Sequence, residues 1–307
     1  MAQASEDHAD QAAARKDLRA QARAAVASRA EFFEIASDLT PYVAVRSGSA
    51  IYFVSTTDDH IGRDLFAKQS RKEMRILSKA LSALAATGAD AGRGIFVDAG
   101  AHIGTTSIDA LMTHRFASAV ALEPDTANLE LLRINSIANG LGDRLLVIDA
   151  AVSDSEGFSE LNLGARSSAK RALATGADRD GAATRRVRTT TLDALAADGT
   201  IDPGEVSLVW MDVEGHEGHV LAGAGSLLER RVPVVLEFCP RLLTGTGGLD
   251  MLLRAAAEHY THLVDLKHRW KGDPPAMAID QMHRLAEDYG REGARPEFTD
   301  LLLFALS

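Results

Sequence analysis

The sequence has little of several residue types, and each shortage excludes a class of protein. Cys239 is the only cysteine in 307 residues, so we expect no internal disulfide, no multi-cysteine metal cluster and a reducing, cytoplasmic compartment. No apolar run approaches the roughly 18 residues of a membrane span. The longest run, residues 301–306, has the length of a strand. The first residues have neither a basic start nor an apolar core, so we predict no secretory signal.

Positive charge is also scarce. The chain has 33 Lys and Arg against 43 Asp and Glu, a formal net charge of −10. This balance argues against a nucleic-acid partner, because phosphate contacts need clustered cations. A hydrophobic content of 46% is typical of a globular chain with a sizeable core. Arginine outnumbers lysine 26 to 7 and alanine is abundant, which we take as a hint of a bacterial source.

The first 60 residues are predicted to form an N-terminal helical extension. Residues 8–39 contain many good helix formers and no Gly or Pro, which predicts one or two helices. Two roles stay open for them: a cap over part of the core, or an arm through which two copies form a homodimer. Residues 51–54 resemble a short strand, and residues 68–84 place apolar side chains at helical spacing.

From Gly94 onward, short apolar runs alternate with helical stretches. Continuous apolar runs are typical of strands in a parallel sheet that helices cover on both faces. We therefore predict an α/β fold over residues 61–307, with a Rossmann-like, doubly wound, mostly parallel sheet of seven strands. The predicted strands are 95–97, 119–122, 145–148, 207–211, 234–236, 262–266 and 301–304, and the predicted helices are 105–113, 126–138, 217–229 and 249–259.

A polar stretch rich in glycine, arginine and serine, residues 164–186, lies between the third and fourth strands. The segments on either side, 158–163 and 187–192, alternate apolar and polar residues, which predicts an exposed hairpin. The arginines here are either a solvated loop face or a contact for an anionic substrate, and both interpretations stay open. They are Arg166, Arg171, Arg185, Arg186 and Arg188.

The most informative motif follows the first strand of the sheet. Residues 97–104, VDAGAHIG, end the strand with an acid and turn through glycines into a helix at Thr105. Glycine permits positive φ and the close approach of a ligand, and a helix N-terminus offers unpaired amides, so such a loop binds a nucleotide-containing cofactor. Glu123 ends the second strand, where an acid can bond ribose hydroxyls. The alternative is a tight turn in which Asp98 caps the helix.

The glycine spacing distinguishes between cofactors. A dinucleotide loop has the pattern G-x-G-x-x-G, whereas three other residues separate Gly100 from Gly104. The loop therefore has no pyrophosphate cradle. Asp98, two residues before Gly100, suits the ammonium of a zwitterionic amino acid, directly or through a water. The pattern favours S-adenosylmethionine over NAD.

Five ordered blocks of sequence resemble the FkbM family of S-adenosylmethionine-dependent methyltransferases. With a lead-in from Ile61, they extend over residues 61–238. At position 102 this chain has histidine where the family usually has asparagine. The blocks are residues 98–104, 123–125, 153–157, 191–193 and 212–224.

This resemblance implies the class I methyltransferase fold, S-adenosylmethionine as cofactor, and a hydroxyl on a saccharide, glycolipid or secondary metabolite as methyl acceptor. Two other functions stay open: a Rossmann-fold NAD-dependent oxidoreductase, and a non-catalytic binding module on the same fold. The glycine spacing argues against the first, and the retained acids argue against the second. The implied cofactor-binding residues are Asp98, Gly100, Ala101, His102, Gly104, Thr105, Glu123, Pro124 and Ala151.

Acidic and histidine side chains follow the fourth and fifth strands, where open parallel sheets bind ligands. Methyl transfer to a hydroxyl needs orientation and removal of a proton. The candidate catalytic residues are Asp212, Glu214, His216 and Glu237. His216 is expected to be neutral at its helix N-terminus, and Glu217 is expected to cap that helix. The spacing matches no dedicated metal motif, so we predict a site without a metal.

Overall fold

The computed structural model describes residues 2–88, 93–113, 116–163, 171–174, 183–267, 275–294 and 296–306, with the main chain alone at residues 2–14. Contacts divide the chain into two compact units, Met1–Arg71 and Lys72–Ser307. The functional boundary predicted at residue 60 stays a prediction. No helix within the described ranges is both long and apolar enough to cross a membrane.

The first unit combines two helices with a hairpin. Helix α1 (Ala2–Ser37) is followed by strands β1 (Tyr42–Ser47) and β2 (Ala50–Ser55), which pair antiparallel, and by helix α2 (Ile61–Lys68). The last turns of α1 pack on α2, where the rings of Phe32 and Phe66 stack 5.9 Å apart. The predicted helix and the strand at 51–54 are confirmed, whereas β1 was not predicted.

Helices of the second unit cover its central sheet. The predicted helix at 68–84 is displaced, because Gln69 adopts a left-handed φ of 54° that ends α2. The predicted helix at 217–229 is two helices, because the chain leaves helical geometry at Gly223, which packs against the carbonyl of Ser153. The helices are α3 (Lys72–Ala86), α4 (Thr105–Met112), α5 (Thr126–Ala138), α6 (Leu192–Ala197), α7 (Glu217–Ala222), α8 (Gly225–Glu229), α9 (Pro240–Thr246), α10 (Leu249–His259) and α11 (Gln281–Gly290).

The strands of the second unit form two sheets. They are β3 (Ile95–Ala99), β4 (Ser118–Leu122), β5 (Leu145–Ile148), β6 (Ala151–Val152), β7 (Gly157–Asn162), β8 (Thr184–Thr190), β9 (Val206–Met211), β10 (Val234–Phe238), β11 (His262–Asp265), β12 (Met277–Ala278) and β13 (Thr299–Phe304). The large sheet has the order β12-β11-β13-β10-β9-β3-β4-β5, and the small one has the order β6-β8-β7.

All seven predicted strands lie in the large sheet, to which β12 adds a two-residue edge. Five neighbouring strands of this sheet are parallel, in the order β10-β9-β3-β4-β5. Strand β13 runs antiparallel between β10 and β11. The chain leaves β3 towards β4 and returns on its other side at β9, which makes a topological switch point. The predicted doubly wound, mostly parallel class I methyltransferase fold is confirmed, and its ligand crevice lies at the carboxyl ends of β3 and β9.

The small sheet contains the predicted hairpin. Strands β7 and β8 pair antiparallel, and Leu173 forms an isolated bridge with Leu161. Ala151, Leu161 and Val187 form a small core of their own. Arg166 and the rest of residues 164–170 and 175–182 lie outside the described residues.

Candidate active site

Main-chain contacts hold the loop after β3 in place. The amides of Gly100 and Ala101 both donate to the carbonyl of Leu122, at 3.0 Å. Gly100 has a φ of +83°, and a Cβ there would lie 2.1 Å from the carbonyl oxygen of Asp212. Only glycine satisfies both conditions. The loop is thereby fixed between β4 and the end of β9.

Asp98 is almost fully buried at the end of β3. The hydroxyl of Ser107 in the first turn of α4 donates to its carboxylate, and so does the main-chain amide of Ser107. Asp98 thus bonds the start of α4, and its role towards the cofactor stays a prediction. Burial raises the pKa of Asp98 to about 7, against the hydrogen bond from Ser107. Burial of an ionised carboxylate is unfavourable, so a cationic ligand here would be stabilised.

Glu123 holds the same loop from the side of β4. Its carboxylate accepts from the amides of His102 and Asp125, both at 2.8 Å, and from Asn128 Nδ2 at 3.4 Å. Burial raises its pKa to about 7. His102 has a φ of 53°, a region in which asparagine and histidine are enriched. Histidine at position 102 can therefore adopt the left-handed main-chain conformation that suits the asparagine usual in the family.

The predicted cofactor residues fall into two places. Residues of the loop, with Glu123 and Pro124, lie together at the carboxyl ends of β3 and β4. Ala151 is in β6 and packs into the small core of the second sheet. Two acids at adjacent strand ends suit the ammonium and ribose of S-adenosylmethionine, so the donor set fits this cofactor. Asn135, which sequence reasoning missed, supports the loop by donating to the carbonyl of Ile103 at 2.9 Å.

Three of the predicted catalytic residues meet at the ends of β9 and β10. One carboxyl oxygen each of Asp212, Glu214 and Glu237 lie within 4.8 Å of one another, and we call these residues the carboxyl cluster. Leu236 pairs with Met211 in the parallel register, so the next residues, Glu237 and Asp212, are neighbours. Such a group can share a proton, and its oxygens are also of the kind that divalent cations accept.

Crowding changes the proton affinity of the carboxyl cluster. Desolvation, followed by the charges of Asp212 and Glu214, raises the pKa of Glu237 well above its usual range. Glu237 therefore holds a proton at neutral pH. The neighbouring Glu217 accepts from the amides of Val213 and Gly215, at 3.1 and 3.4 Å. It stabilises the turn before α7, as the capping interpretation predicted.

His216 lies apart from the carboxyl cluster. Its Nε2 is 2.9 Å from the hydroxyl of Ser153, and its ring stacks on His219 at 4.2 Å. Desolvation, followed by repulsion from His219, lowers the pKa of His216 to about 4. The imidazole is neutral at pH 7, as expected, but burial rather than the helix N-terminus is the main cause.

Lys267 and Asp300 belong to the same end of the sheet, and sequence reasoning missed both. Lys267 Nζ lies 2.9 Å from Asp300 Oδ2 and 4.0 Å from the ring centroid of Phe298. Asp300 is paired with Glu237 across the antiparallel strands. No local motif signals this contact, because it depends on where β13 enters the sheet.

The arginines of the small sheet have contacts within the chain. Arg171 Nη1 lies 2.6 Å and Arg185 Nη1 3.7 Å from the buried carboxylate of Asp125. Arg186 lies 4.1 Å from the ring centroid of Phe158. These described arginines therefore stabilise the chain itself, and the interpretation as a contact for an anionic substrate stays a prediction.

Comparisons with solved structures gave matches of low sequence identity. The chain is similar to an FkbM methyltransferase from Methylobacillus flagellatus KT, with 16% identity, a TM-score of 0.41, and coverage of 69% of this chain and 43% of that one. It is also similar to M. jannaschii TYW2 in complex with AdoMet, with 10% identity, a TM-score of 0.40, and coverage of 86% and 87%. A search of curated proteins gave no match.

The family comparison covers most of the site. Residues 98–267 match the Methyltransferase FkbM domain, which is more than half of the 307 residues. The matched range starts at Asp98. It includes residues 98–104, which we call the cofactor loop, together with Glu123, the carboxyl cluster and Lys267. The chain therefore belongs to the FkbM family of methyltransferases, and its cofactor is S-adenosylmethionine.

Proposed function

We propose that the protein transfers the methyl group of S-adenosylmethionine to a hydroxyl oxygen of a small acceptor, such as a saccharide, glycolipid or secondary metabolite. The observation that carries this proposal is the carboxyl cluster beside the cofactor loop. An alcohol oxygen becomes a good nucleophile only as it loses its proton, and a nearby carboxylate can accept that proton.

We assign cofactor binding to the residues that follow β3 and β4, and proton transfer to the carboxyl cluster. Asp98 would hold the ammonium of the cofactor, Glu123 would bond its ribose, and the main chain of the loop after β3 would line the cofactor. When bound, S-adenosylmethionine supplies an electrophilic methyl group on a sulfonium. Asp212, Glu214 and Glu237 orient the acceptor hydroxyl and take its proton, and we propose that they do so without a metal. His216, hydrogen-bonded to Ser153, is a candidate of lower rank.

A cavity of about 640 Å³ is our proposed binding place for the acceptor. Its lining mixes charged, polar and apolar side chains, which suits a polyhydroxylated molecule, and its volume is typical of small-molecule pockets. Asp265, one of its lining residues, ends β11 two strands from Glu237, or about 10 Å at ordinary strand spacing, and its side chain lies on the other face of the sheet. The lining includes Asp265, Met277, Gln281, Arg284, Leu285 and Tyr289.

Calorimetric titration with S-adenosylmethionine, S-adenosylhomocysteine and NAD tests the proposed class without knowledge of the acceptor. We expect micromolar binding of both sulfur ligands and none of NAD, since the loop has no pyrophosphate cradle. Binding of NAD alone would favour the oxidoreductase. Binding of none of the three would favour a non-catalytic module.

We further propose a bacterial, cytoplasmic protein without a nucleic-acid partner that forms a homodimer through its N-terminal helix. The net charge of −10 argues against a nucleic-acid partner, and the single cysteine suits the cytoplasm. The exposure of α1 over residues 15–25 supports the dimer. Leu18, for example, keeps 68% of its surface exposed. Light scattering on the full chain is expected to give twice the mass of one chain, and the mass of a single chain would contradict the dimer.

A further inference from the structure

We propose that the carboxyl cluster releases a proton when the sulfonium cation of S-adenosylmethionine binds, and takes up the proton of the acceptor when that positive charge is lost. This inference rests on the proposed function and adds a proton balance to it. It concerns the side chains of Asp212, Glu214 and Glu237, whose oxygens lie within 4.8 Å of one another.

The carboxyl cluster is adjacent to the loop after β3, along which we propose that the cofactor binds. The amide of Asp212 donates to the carbonyl of Ala99 at 3.1 Å. The carbonyl oxygen of Asp212 lies so near Gly100 that a Cβ there would be 2.1 Å from it. Strands β3 and β9 are direct neighbours in the parallel sheet. A cation held by the loop after β3 is therefore only one strand spacing, about 5 Å, from the first carboxylate.

Negative charge dominates the surroundings of this site. Glu237 faces Asp212, Glu214 and Glu217, the thiol of Cys239, and the cation of Lys267. Asp212 also faces Asp98 and Asp300. Lys267, the cation that faces Glu237, is already paired with Asp300 at 2.9 Å. The crowded acids therefore bind a proton that an additional cation would displace.

The direction of the effect follows from simple electrostatics. A positive charge within about 4–6 Å favours the ionised form of a carboxyl group and lowers its pKa by roughly 1–3. A proton is then released at any pH between the pKa of the cofactor-bound cluster and the higher pKa of the free cluster. Glu237, whose pKa is raised by burial and by its acidic neighbours, is the group that supplies this proton.

Charge and atoms balance over the reaction. The bond between the methyl carbon and sulfur breaks as the bond between that carbon and the acceptor oxygen forms, and the electron pair stays on sulfur as a neutral thioether. The O–H bond of the acceptor breaks, and its proton goes to the ionised carboxyl cluster. One positive charge is lost at sulfur and one is gained as a proton, so the site needs no outside base.

Proton counting by calorimetry tests this proposal without an acceptor. The full chain is titrated with S-adenosylmethionine and with S-adenosylhomocysteine at pH 7, 8 and 9, each in two buffers of different ionisation enthalpy. Both ligands carry the same ammonium and ribose, so the difference removes the contributions of Asp98 and Glu123. We expect S-adenosylmethionine to release about half a proton more at pH 8, and a larger excess at pH 9.

Two substitutions locate the source of the proton. Glu237→Gln is expected to abolish the excess, whereas Glu258→Gln, whose side chain is 75% exposed, is expected to keep it. Glu214→Gln serves as a second cluster variant if Glu237→Gln does not fold, and it is expected to reduce the excess.

Equal proton release with both ligands at every pH would overturn the proposal, as would an excess that persists in Glu237→Gln. Both results would leave the cofactor assignment intact. Failure of either ligand to bind is a different result, because it would overturn the proposed function itself.

Discussion

Gly100→Ala is expected to lower the melting temperature by about 10 °C and to weaken binding of S-adenosylhomocysteine by more than tenfold. The new Cβ would lie 2.1 Å from the carbonyl oxygen of Asp212, at a residue with a φ of +83°. A left-handed alanine costs about 1–2 kcal/mol, and the overlap with main chain adds about 1–3 kcal/mol. Thermal unfolding and calorimetric titration of the variant measure the two effects.

Gly140→Ala is the matched control for this substitution. Gly140 also has a positive φ, +66°, but an added Cβ would have no atom within 4 Å. We expect it to lose about 1 kcal/mol of stability for its backbone conformation and to bind the ligand as the wild type does. Equal effects in the two variants would show that the cofactor loop moves to accept the methyl group, and the rigid loop described above would be wrong.

Removal of one carboxylate from the carboxyl cluster is expected to lower turnover by about 10²–10⁴-fold, the usual effect of losing a general base. Asp212→Asn and Glu237→Gln keep the size of the side chain and take away its ability to accept a proton. Binding of S-adenosylhomocysteine is expected to stay within a few-fold of wild type, because the loop and Glu123 are untouched. Single-turnover methyl transfer to a verified acceptor, together with ligand titration, separates the two quantities.

Glu156→Gln, in the exposed turn before β7, is the control for these variants and is expected to keep wild-type turnover. Wild-type turnover in both cluster variants would instead transfer the role of base to His216. A chelator is expected to leave turnover unchanged. A loss that Mg²⁺ restores would show that the oxygens of the cluster act through a metal, contrary to our proposal.

Local patterns were sufficient to predict the main elements of the fold. Each continuous apolar run of the second unit became a strand, because strands buried on both faces cannot alternate polar and apolar residues. The loop after β3 was predictable for a similar reason, since Asp98, Gly100 and Gly104 fall within seven consecutive residues. Strand β1 was missed because it is partly exposed, with only Val45 and Ser47 of its six residues buried.

Contacts between distant residues were beyond the reach of local patterns. Lys267 and Asp300 are 33 residues apart and meet only because β13 enters between β10 and β11. Arg171 and Asp125, which form an ion pair, are 46 residues apart in the sequence. Glu237 was predicted from its position at a strand end, but its proximity to Glu214 depends on the left-handed φ of 54° at Glu214.

The position of β13 also determines when this protein can fold. All six residues of β13 are buried, and its hydrogen bonds join β10 to β11. A nascent chain that has emerged only as far as β11 has an open, apolar edge on β10, since the strand that covers it is synthesised about 60 residues after Phe238. The acceptor side of the sheet is therefore the last part to close, and until then it is the part most exposed to chaperones and to aggregation.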